Sequence, residues 1–176
     1  MDNLTALNFL PQEQLNLAHS HESNELNRYQ WLALSFLPFD PSVSQLMSAM
    51  SMECVYRLSN LKEVAGRMEL DACVKAPSPR ETPSLSKNSP HFFVVHEVMG
   101  QQILMRAEEA SEATCTFFSW LLETNATPEL HQLLSTFVKQ KNNEHRVLQE
   151  CREQWRMKPT GQALYKTKQA THNRVH

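Results

Sequence analysis

Apolar residues recur along this chain in alternating steps of three and four, the spacing that gathers them on one face of an α-helix. The first such run spans about Gln12 to Leu37, with an inward stripe of Leu15, Ala18, Glu22, Glu25, Tyr29, Leu32 and Phe36. Pro11 lies near its start, where proline is tolerated, and Pro38 stops it. Asp40-Pro41, a capping residue followed by a first-turn proline, opens a second run. That run carries Val43, Leu46, Met47, Met50, Glu53, Cys54, Arg57, Leu61, Val64 and Met68. Only Pro38 and Phe39 separate the two runs, and so short a link predicts antiparallel neighbours.

A third run covers about Val94 to Thr124, with Ile103, Leu104, Ala107, Ser111, Thr114, Phe117, Phe118 and Leu121 at core positions. The fourth begins at Thr127-Pro128-Glu129, where Thr127 suits a cap and Glu129 suits the positive end of the helix dipole. It carries Leu130, Leu133, Leu134, Phe137, Val138, Lys141, Glu144, His145, Leu148, Cys151 and Trp155, and Pro159 and Gly161 mark its far end. Between the helix pairs, residues 76–90 read APSPRETPSLSKNSP, with four prolines and four serines. This composition predicts an extended linker, placed where a bundle needs its longer crossover. The expected fold is all-α, an antiparallel four-helix bundle over residues 1–156, with the crossover between helices 2 and 3. Residues 157–176 form a basic C-terminal tail.

Composition agrees with helices. The 176 residues include only three glycines, and the nine prolines fall outside the long periodic runs. The net charge of −2 is uneven. From Arg156 to His176 there are five basic residues and no Asp or Glu, whereas the rest holds 12 Lys and Arg against 19 Asp and Glu. The acidic body gives no reason to expect nucleic-acid binding, while the linker or the tail could engage a protein partner. Cys54, Cys73, Cys115 and Cys151 form no Cys-x-x-Cys pair, which argues against a zinc ribbon or rubredoxin-type iron centre and for reduced thiols in a cytoplasmic protein. No secretory leader pattern opens the chain, and no apolar stretch approaches membrane-spanning length. Phosphate-loop, Gly-x-Ser-x-Gly, Gly-x-Gly-x-x-Gly and His-Glu-x-x-His patterns are missing.

The charged residues inside the stripes hold the candidate chemistry. Glu22 or Glu25, Glu53, Lys141 and Glu144 fall where apolar side chains belong. Burying one unpaired carboxylate costs several kcal/mol, so these groups must pair with cations, bind metal or reach solvent. Carboxylates from facing helices are what a di-iron or di-manganese site uses, with one Glu from each of two helices and Glu-x-x-His from the others. Tyr29, Phe117, Phe118 and Met47 read as core packing, and Cys54 as a small buried hydrophobe. His19 and His21 fall on faces other than that of Glu22.

At these residues the chain resembles the rubrerythrins of the ferritin-like superfamily. His21-Glu22-Ser23 followed by Asn27-Arg28-Tyr29 is similar to their first helix, in which the Glu is a metal ligand. Ala107 through Phe117-Phe118, Thr127-Pro128-Glu129-Leu130 and Asn143-Glu144-His145 resemble the last two helices, and the likeness runs from about Glu13 to Glu153. It implies a ferritin-like bundle with iron, and candidate ligands Glu22, Glu53, Glu108, Glu144 and His145. The ligand pattern is nevertheless broken. Helix 2 offers Ser51 with Cys54, Glu53 with Tyr56, or Cys54 with Arg57, and helix 4 offers Asn142 with His145 or Lys141 with Glu144. Neither holds Glu-x-x-His, and the helix 3 position falls at Ser111, with Glu108 and Glu112 nearby. Pointing inward, Arg57 and Lys141 would each replace the positive charge of a metal.

Two functions from different classes follow. One is a non-catalytic binding or assembly module, a homodimer, with a lost or variant dimetal site and no cofactor. The other is a non-haem iron oxidoreductase acting on peroxide or oxygen.

Overall fold

Prolines and capping side chains set the helix boundaries in the computed structural model, which describes residues 9–74 and 92–157. Helix α1 runs Pro11–Phe36, with proline in its first turn and the Glu13 carboxylate accepting the Leu10 N–H at 3.0 Å. Helix α2 runs Pro41–Arg67, and Asp40 caps it by accepting from the N–H groups of Ser42 and Val43 at 3.0 and 3.1 Å. A short 3-10 turn, Asp71–Val74, follows; the sequence pattern gave no signal for it. Helix α3 is Glu97–Glu123, capped by His96 Nδ1, which accepts from Met99 N–H. Helix α4 is Pro128–Met157. Among the described residues there are no strands, and their all-helical arrangement is compatible with a helical bundle.

The periodic stripes turn inward. All seven stripe residues of α1 are buried, Glu22 and Glu25 included. The apolar ones gather in two clusters. One packs Tyr29, Leu32 and Phe36 against Met47, Met50, Cys54, Leu104, Leu148 and Trp155. The other packs Leu15 and Ala18 against Leu61, Val64, Phe118, Leu121, Leu130, Leu134 and Phe137. Along α1, α2 and α4 the residues Glu22, Arg57 and Lys141 fall between members of the two clusters, so charge sits between the two apolar clusters.

Individual contacts fix which helix ends meet. Ser44 Oγ, early in α2, donates to Ala33 O, late in α1, at 2.7 Å. Val94 N–H, just before α3, donates to Ser35 O at 2.9 Å. Trp155 Nε1, late in α4, donates to Glu97 O at 3.2 Å, and its ring meets Phe36 edge-on. At Gly100 the α3 backbone lies against Trp155, where an added Cβ would come within 2.4 Å of the indole. Val74 and Val94, near the bounds of the expected linker, belong to different clusters. The 76–90 linker and the tail beyond Met157 lie outside the described residues. No described helix is long and apolar enough to cross a membrane.

Candidate functional site: a buried ion square

Helical spacing brings four charged side chains to one point. Glu22 projects from α1, Arg57 from α2, and Lys141 and Glu144, one turn apart, from α4. Glu22, Arg57 and Lys141 are at most 1% exposed, and Glu144 is 8% exposed. Arg57 Nε donates to Glu22 Oε1 at 2.7 Å, and its Nη2 donates to Glu144 Oε1 at 2.5 Å. Lys141 Nζ donates to Glu22 Oε1 at 3.0 Å and to Glu144 Oε2 at 3.3 Å. The same ammonium lies 2.9 Å from Glu22 Oε2, oriented for an ion pair rather than a directed hydrogen bond. Each carboxylate therefore touches both cations, and all four carboxylate oxygens are engaged.

Two carboxylates against two cations leave the square neutral. Burial works against the Arg57 charge, but Glu22 and Glu144 more than offset it and raise its pKa above the ordinary arginine value. Arg57 Nη2 also lies 3.4 Å from Cys54 Sγ. Burial, with Glu22 adding to it, raises the Cys54 pKa well above the usual thiol value. Cys54 therefore stays protonated at neutral pH and is a poor nucleophile. Burial likewise raises the Tyr29 pKa. The Lys141 ammonium lies 5.8 Å from the centre of the Phe118 ring, within cation–π range.

The remaining candidates lie apart from the square. Glu53 is exposed on α2, the next residue, Cys54, taking the inward position. Glu108 pairs with Arg152 of α4 at 2.7 Å. His145 is half-buried, and its Nδ1 is shielded from solvent with no hydrogen-bond partner. Glu25 is buried and held by Arg28 at 2.5 Å; burial raises its pKa and Arg28 lowers it. Two features escaped the stripe reading. Arg28 lies three residues after Glu25, an i,i+3 spacing that is itself an ion-pair signal. His21 stacks on Phe117 at 4.1 Å and shares a 3.1 Å hydrogen bond with Thr114 Oγ1, although it lies off the face of Glu22. Burial, helped by the Lys141 charge, lowers the His21 pKa to about 4.

The residues present do not fit the dimetal group that the resemblance implies. A guanidinium and an ammonium occupy the space between Glu22 and Glu144, and both carboxylates already spend their oxygens on them. Among the described residues no three His, Cys, Asp or Glu side chains come together as a metal-binding set. The class defined by helices and site together is thus an all-helical protein with a neutral ion network in its interior. Comparisons with family models, with curated proteins and with solved structures gave no match.

Proposed function

We propose that this chain is an antiparallel, ferritin-like bundle of rubrerythrin type whose dimetal centre has been replaced by salt bridges, and that it works as a non-catalytic binding or assembly module. The observation that carries this reading is the square itself: two side-chain cations stand between carboxylates of separate helices, where a metal would otherwise supply the charge. The meeting of late α1 with early α2, and of early α3 with late α4, supports the antiparallel arrangement. Val74 and Val94, in different clusters, support a crossover between the helix pairs.

A homodimer suits the exposed apolar residues Met52, Val55 and Tyr56, spaced along one face of α2. The thiols of Cys54, Cys73 and Cys115 suit a reducing, cytoplasmic setting. The experiment is elemental analysis of aerobically purified full chain, with sedimentation velocity on the same sample. Less than a tenth of an equivalent of iron or manganese, in a dimer, supports the proposal. Two tightly bound iron atoms per chain would end it and favour the oxidoreductase reading instead.

A further inference from the structure

Two buried carboxylates reaching one point from different helices are a natural pair of ligands for a divalent cation, because such ions prefer oxygen donors. Glu22 and Glu144 are such a pair, and Cys54 Sγ lies beside the Arg57 guanidinium that joins them. Arg57 and Lys141 bridge this pair. Each cation contacts both carboxylates, so no oxygen pair is left over, and an incoming ion would meet two fixed positive charges at short range where water screens little. Both cations are almost fully buried.

We infer that Arg57 and Lys141 are the residues that exclude divalent cations from the interior, and that removing their charges turns the Glu22–Glu144 pair into a divalent-cation site. This inference rests on the proposed function. Serine at both positions leaves two buried carboxylates with no counter-charge, and it opens the volume of two long side chains between them. A divalent ion then does what the guanidinium and the ammonium did. Arg57→Ser alone keeps Lys141 and leaves a smaller deficit for a single ion to fill.

The test uses the full chain as wild type, Arg57→Ser and the double variant Arg57→Ser/Lys141→Ser. Cobalt(II) chloride is the probe, read by equilibrium dialysis and by thermal unfolding with and without the ion. The wild type is expected to bind no stoichiometric cobalt and to show no shift. The double variant is expected to take up at least one equivalent and to gain 5 °C or more in unfolding midpoint. Adding Glu22→Gln to the double variant is expected to lower its cobalt affinity at least tenfold. If neither variant gains stability from cobalt, whether already folded without it or still unfolded with it, the inference is overturned. Cobalt binding that ignores Glu22→Gln places the ion elsewhere and overturns it too. A wild type that binds cobalt through Glu22 refutes the proposed function as well, whereas a metal-free wild type with cobalt-blind variants refutes only the exclusion.

Discussion

Replacing Lys141 by methionine removes one corner of the ion square at nearly constant volume. Glu22 Oε2 and Glu144 Oε2 then lose the ammonium that lies 2.9 and 3.3 Å from them, while Arg57 still holds the other oxygen of each carboxylate. One negative charge remains uncompensated in a centre where three of the four groups are at most 1% exposed. Breaking a buried ion network by deleting one partner costs about 3–5 kcal/mol. Loss of the cation–π contact with Phe118 adds a smaller amount, about 0.5–1 kcal/mol. The expected destabilisation is therefore about 4–5 kcal/mol, a large part of the roughly 5–15 kcal/mol that holds a domain together. Urea unfolding at pH 7, followed by helical circular dichroism, reads it as a midpoint lowered by roughly 2 M, for a slope of about 2 kcal/mol per M. Adding Glu22→Gln removes the excess negative charge, so the double variant should be no less stable than Lys141→Met alone. A single-variant loss below about 1 kcal/mol, or additive losses in the double variant, would refute the reasoning.

Three further outcomes test other parts of the structure. Gly100→Ala should destabilise by roughly 1–2 kcal/mol despite alanine's better helix propensity, because its Cβ would press on Trp155 at 2.4 Å; tryptophan fluorescence during urea unfolding checks both the energy and the displaced ring. Asp40→Ala should cost about 1 kcal/mol by uncapping α2, measured as a lowered thermal midpoint. His21 has a folded pKa near 4, below its ordinary 6.5, so the unfolded chain takes the proton first as pH falls. Its contribution to stability is thus present above about pH 6.5 and lost toward pH 4, and the stability difference between wild type and His21→Gln should shrink across that window.

Much of this arrangement is legible in the residue pattern. The α1 stripe places Glu22 and Glu25 inward, the α2 stripe places Arg57 there, and the α4 stripe does so for Lys141 and Glu144, because a step of three or four fixes a face without reference to any partner. Glu53 shows the limit of that rule. From Met50 a step of three reaches Glu53 and a step of four reaches Cys54, and periodicity alone cannot choose. The apolar thiol takes the interior, and the exposed carboxylate keeps its water. Which charges pair is harder still. The link between Glu108 and Arg152 joins two helices, and its register depends on their packing. Glu25 and Arg28 lie on one helix, and their spacing could have revealed the pair. The stacking of His21 on Phe117 depends on how closely α1 and α3 approach, which neither stripe encodes.

A crystal structure of the full chain, grown with manganese(II) and phased with data at the manganese absorption edge, tests the neutral square most directly. Lys141 Nζ and Arg57 should be found in hydrogen-bonding contact with both Glu22 and Glu144, with no anomalous peak between the carboxylates. A manganese peak bound to Glu22 and Glu144, with the lysine or the arginine turned out to solvent, would contradict it.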